Sequence, residues 1–187
     1  QQVQNPVGMF SRDNNGVIIA LPSVPVTGAQ SVTGSMIFGI GTQGDNGLGN
    51  AQVIPVDLNT ANFTTILNAV SYSNSFIDSG SNALFFADPN IAACSFSVGF
   101  YCPASTQSLS ATNHGTSGTA SVVVFRVANA DFLFTANPTF GAFGDLAGPN
   151  PDATSFDWGL PFFFGRNVFT AFEGQNTPAG IGPYVAY

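Results

Sequence analysis

Apolar residues in this chain come in short runs, each closed by Gly, Asn, Asp or Pro. β-branched and aromatic residues dominate the runs at 17–21, 35–38, 53–56, 63–67, 74–77, 120–127, 162–164, 167–172 and 184–187, a composition and spacing that predict strands. No window sustains apolar residues at i, i+3, i+4 and i+7. Two short helices are predicted, at 106–111 and 130–135. The polar stretch 144–154, with Pro149 and Pro151, reads as a loop. Nothing repeats and no linker divides the chain, so residues 1–187 read as one all-β domain.

Composition narrows the function classes. Only 7% of residues are charged and there is no Lys; the cations are Arg12, Arg126 and Arg166, and the net charge is −7. Nucleic acid is excluded as a partner, because binding it needs clustered cations to displace counterions. Docking on anionic lipid is disfavoured for the same reason. No apolar run approaches the ~18 residues of a membrane span. The chain opens without Met or a basic, apolar leader, so a signal peptide is expected to have been removed already. Low charge with abundant Asn, Ser, Thr and Gly reads as exported: secreted, periplasmic or at the cell surface. In that setting Cys94 and Cys102 are expected to form a disulfide, two buried thiols being the alternative. No metal or cofactor is expected, since His114 is the sole histidine and there is no second cysteine pair.

Three motifs carry candidate chemistry. Gly39-Ile40-Gly41-Thr42-Gln43-Gly44 matches a dinucleotide fingerprint, but turn residues follow where a helix should open, so a Gly-rich hairpin loop is the better reading. Ser79 with His114 as base would make a serine hydrolase, a reading of low weight because His114 sits in a polar loop sequence. Phe76-Ile77-Asp78-Ser79-Gly80-Ser81 puts one carboxylate on a tight turn between apolar strands. Backbone N–H groups and the Ser81 hydroxyl can orient it there. Beside a second carboxylate the two would share a proton, one serving as base on a water and the other as acid.

Taken in order along nearly its whole length, the chain resembles the C-terminal lobe of a pepsin-like aspartic protease. The resemblance rests on Phe76-Ile77-Asp78-Ser79-Gly80-Ser81, on Gly34 to Gly41 and Val53-Ile54-Pro55-Val56 upstream, and on Phe163-Phe164-Gly165 with the strand after it. A closer resemblance is to a bacterial exported family of unknown function, through Asp13 to Ile19, Phe76 to Asn82 and Phe156 to Phe162. The pepsin-like resemblance implies a single acid-protease lobe, a twisted and partly closed β-barrel with one or two short helices, and the bacterial one makes it the second half of a two-lobed protein. By the pepsin-like resemblance Asp78 would be a catalytic carboxylate and Ser79 would tie two active-site turns together. Gly80 would permit the tight backbone, and Ser81 would bond the outer oxygen of Asp78. Phe164 and Gly165 would pack beneath the Asp turn.

The chain lacks the other lobe's Asp and its flap tyrosine. The second acid is therefore expected from a missing N-terminal lobe or from a second copy on a two-fold axis. Asp157, beside Trp158 and Gly159, is the best partner within the chain, although a loop acid before an aromatic anchor is its preferred reading. The leading expectation is an exported aspartic-type peptidase acting on an extended peptide. The alternative is a catalytically silent extracellular or envelope protein with a structural or binding role on the same fold.

Overall fold

Along Ala120–Val127 the side chains alternate between solvent and core, with Val123, Phe125 and Val127 inward and Val122, Val124 and Arg126 outward. That two-residue period is the physical signature of a strand with one covered face. The computed structural model describes residues 5–187; residues 1–4, the start of the predicted domain, lie outside the described residues. In chain order the strands are β1 (Gly16–Leu21), β2 (Ser35–Phe38), β3 (Val53–Pro55), β4 (Phe63–Leu67), β5 (Val70–Ile77), β6 (Leu84–Phe85) and β7 (Gln107–His114). β8 (Ala120–Val127), β9 (Ala147–Gly148), β10 (Asp157–Trp158), β11 (Arg166–Ala171), β12 (Asn176–Thr177), β13 (Gly180–Ile181) and β14 (Tyr184–Ala186) follow. One α-helix, α1 (Ala130–Ala136), is capped by the Asn129 side chain, which accepts from the Phe132 N–H.

Seven strands form a mixed sheet in the order β8-β7-β4-β5-β10-β6-β9, and five form a second in the order β2-β1-β11-β14-β3. The described residues are thus mostly sheet with one short α-helix, and the mixed sheet curls into a nearly closed barrel. The main core is aromatic. Phe156 stacks on Phe86 at 4.7 Å and on Trp158 at 4.3 Å, with Phe125 set edge-on to Trp158 at 5.3 Å. This stack anchors β10 in mid-sheet, where it pairs in parallel with β5 and antiparallel with β6.

Two predicted elements differ. The helix expected at 106–111 is instead part of β7, paired with β8 over its whole length and with β4 over half of it. Ser108, Ser110 and Thr112 offer no apolar helical stripe, so the two-sided ladder decides the conformation. The strand expected at 162–164 is a 3-10 turn at Leu160–Phe162. Pro161 has no N–H to give a ladder and suits the first turn of a helix, where no intrahelical partner for that N–H exists. Phe162 packs on Trp158 and Tyr187. The helix expected at 130–135 is α1, and the loop at 144–154 contains the short strand β9. Cys94 and Cys102 form a disulfide. The Gly39–Gly44 stretch opens no helix; Asn15 holds it, accepting from the Ile40 N–H at 2.8 Å and donating to the Ile40 carbonyl at 3.0 Å.

Candidate carboxylate site

β5 carries Asp78 to its place. The strand ends at Ile77, and the Asp78 N–H then donates to the Trp158 carbonyl at 3.1 Å, extending the β5–β10 ladder by one bond. Beyond it the chain turns. Asp78 Oδ1 accepts from the Gly80 N–H at 2.7 Å, and the Asp78 carbonyl accepts from the Ser81 N–H at 3.3 Å. This is an Asx-type turn, in which a short acidic side chain takes the place of a backbone acceptor. It leaves Asp78 half-buried and Ser79 and Gly80 exposed.

The Ser81 hydroxyl lies between two carboxyls. Its oxygen is 3.2 Å from Asp78 Oδ2 and 2.5 Å from Asp157 Oδ2. Asp157 therefore is not a loop acid. It sits on β10 opposite Phe76 and Phe85, only 6% exposed, and its Oδ1 has no hydrogen-bond partner. Burial raises its pKa from the ordinary 3.8 to about 6; the Ser81 hydroxyl opposes the shift and the nearby Asp78 charge adds to it. A serine hydroxyl has one hydrogen and two lone pairs. With Asp157 protonated, its O–H donates to Ser81 Oγ, and the Ser81 hydrogen is free to point at Asp78. With Asp157 ionised, both carboxyls compete for that one hydrogen.

β10 is held as firmly from its other side. The Trp158 N–H donates to Thr65 Oγ1 at 3.0 Å; Thr65 donates to Asn113 at 2.8 Å, and Asn113 donates to the Tyr187 hydroxyl at 2.9 Å. The next residue must be glycine. A Cβ on Gly159 would lie 2.0 Å from the Ala83 carbonyl oxygen and 2.8 Å from that of Ser81. The Leu160 N–H then donates to the Ser81 carbonyl at 2.7 Å, fixing the back of the Asp turn.

The glycine meeting the Asp turn is thus Gly159. Phe164 and Gly165 lie against β1: Phe164 bridges Leu21, the Gly165 N–H donates to the Leu21 carbonyl at 3.0 Å, and Gly165 faces Ser23. Gly80 adopts no left-handed conformation, and the nearest atom to an added Cβ would be Asp78 Oδ1 at 3.1 Å. Ser79 makes no side-chain hydrogen bond among the described residues, and His114 ends β7 opposite Thr64 and Ala120 with no bond to it. Asp157 and Gly159 are the residues sequence reasoning underrated. The string Asp157-Trp158-Gly159, an acid set between Phe156 and a lone tryptophan, was the available clue.

Fold and site together define a class: an all-β, barrel-shaped chain with two neighbouring carboxyls joined through one serine hydroxyl at a strand end. Within it, this chain belongs to the family described as "Protein of unknown function (DUF3443)", which matches residues 1–187. No curated protein and no solved structure matches it. Among the described residues no helix is long and apolar enough to cross a membrane.

Proposed function

We propose that this protein is an exported acid-type hydrolase with peptidase chemistry, in which Asp78 is the carboxylate that meets substrate. The observation that carries the reading is the Ser81 hydroxyl placed between Asp78 and the buried Asp157, whose pKa burial raises to about 6. Asp78 acts as base on the attacking water. Asp157 is too deeply buried to touch substrate and is a positioning residue: its proton holds the Ser81 hydrogen toward Asp78. The opposing acid, which protonates the scissile carbonyl, comes from another lobe or a second copy of the chain. An extended peptide would lie across the end of β5, beside the groove formed by Ile77, Val56 and Phe172. The disulfide supports a secreted, periplasmic or cell-surface location, because such bonds persist in oxidising compartments.

The test is cleavage of an unfolded protein by the full-length protein between about pH 3 and pH 7. Asp78→Asn should abolish cleavage while circular dichroism stays unchanged. Activity of the wild type should fall as pH rises through about 6, where Asp157 loses its proton. A wild type inert at every pH would favour a second reading: a non-catalytic binding protein on the same barrel. The edge of β8, unpaired among the described residues and with Val122 and Val124 exposed, supports that alternative.

A further inference from the structure

A second polar cluster lies in a cavity that Trp158 lines and Asp78 does not. A cavity of about 300 Å³ opens between β8 and the Pro161 turn. Two of the chain's three cations, Arg126 and Arg166, line it, in a protein of net charge −7. Asp145 lines it too. That residue is 6% exposed, and its Oδ1 has no hydrogen-bond partner. Val24, Val124 and Phe164 supply its accessible apolar wall, over a floor of buried Leu84, Trp158 and Phe162. β8 forms the rim and pairs only with β7, so its other backbone edge is open among the described residues.

We propose that this cavity captures the free C-terminus of a peptide ending in an apolar residue. Each part of such a ligand has a counterpart. The α-carboxylate takes the two guanidiniums. Arg166 gives one N–H to the Phe162 carbonyl, which leaves further donors on its five-donor fork. The terminal amide N–H lies on the side of the Asp145 carboxyl that faces Arg126, where Oδ2 is 3.9 Å from the guanidinium. The terminal side chain packs on Val24 and Phe164, and the residues before it add as a strand along β8. A bare anion would be repelled by Asp145 and would leave the apolar wall uncovered. A purely apolar ligand would strand both arginines. The volume is at the small end for ligand sites and suits a chain end better than a whole folded partner. The inference is independent of catalysis at Asp78.

The full-length protein should be titrated with an acetylated hexapeptide ending in Leu, as the free acid and as the C-terminal amide. Calorimetry gives the affinity, and Trp158, the only tryptophan, reports from the cavity floor. The free acid should bind about tenfold or more tightly than the amide. Arg126→Gln should lose about the same factor with its thermal midpoint nearly unchanged, since that side chain is 43% exposed. Equal binding of acid and amide overturns the proposal, as does no binding up to about 1 mM. Full affinity in Arg126→Gln also overturns it. A dimer in light scattering that Val124→Lys dissociates would show a second copy on the β8 edge, and would overturn it too. The amide control needs no variant, so the result does not depend on any mutant folding.

Discussion

Asp145 and Asp157 are equally buried, each 6% exposed, and each has one oxygen without a partner. Burial pushes both above the usual carboxylate range. Their neighbours then separate them. Asp145 faces the Arg126 guanidinium at 3.9 Å, which pulls its pKa back down. Asp157 faces a hydroxyl and a second acid, and the Asp78 charge pushes it further up. Desolvation sets the direction of the shift, and the partner decides what the acid is suited to do. An acid beside a cation is built to keep its charge and offer an acceptor. An acid beside another acid, with a hydroxyl between them, is built to keep a proton.

One residue serves both places, and it gives the largest expected effect. The Trp158 carbonyl accepts the Asp78 N–H, while its ring lines the cavity of Arg126 and Asp145. The ring is fully buried. Trp158→Ala should destabilise by about 3–5 kcal/mol, from lost transfer energy plus the void left behind. Denaturant midpoints would measure it. Asp78-dependent cleavage and hexapeptide binding should weaken together in this variant. If one persists untouched, the two acids do not share a wall and the comparison fails.

The next effect belongs to Asp157 alone. Its folded pKa is raised from 3.8 to about 6, so its favourable contribution is complete below 3.8 and is lost as pH rises through about 6. Asp157→Asn removes that loss. Above about pH 6 the variant should therefore be more stable than the wild type, by on the order of 2–3 kcal/mol at ~1.36 kcal/mol per unit. Near pH 3.5 the two should be about equal. The asparagine amide can still donate to Ser81, so cleavage should survive while its fall near pH 6 moves upward. Stability curves that remain parallel from acid to neutral pH would show that Asp157 does not hold its proton in the fold.

The same two acids mark how far the sequence could be read. β1, β8 and β11 were legible because β-branched runs carry their own strand preference. β6, β9 and β10 are two residues each and exist only because distant strands supply their partners. Asp78 was legible because its turn is local: Gly80 and Ser81 lie two and three residues on. Asp157 meets Ser81 across 76 residues, and no local pattern encodes that meeting. The glycine beneath the turn was expected at Gly165 because apolar-apolar-Gly occurs there. What selects Gly159 is the closeness of two carbonyl oxygens, visible only in three dimensions. Asp145, inside the stretch read as a loop, drew no notice for the same reason.

The smallest effect tests the other half of the comparison. Arg126 is 43% exposed and sits 3.9 Å from Asp145, beyond good hydrogen-bond distance. An ion pair so placed is worth little, roughly 0.5 kcal/mol, because solvent screens it. Arg126→Gln should therefore reduce stability by less than about 1 kcal/mol at neutral pH. The sign with pH is nonetheless informative. Burial raises the folded pKa of Asp145 above 3.8, and losing Arg126 raises it further. Below 3.8 Asp145 is protonated in both proteins, the arginine has no charge to meet, and the curves should coincide. They should separate only as pH climbs and the wild-type carboxyl ionises against its cation. A deficit already present near pH 3 would mean that Arg126 acts through packing of its stem on β8 rather than through its charge. Asp145 would then be buried by desolvation alone, with no partner to set it apart from Asp157.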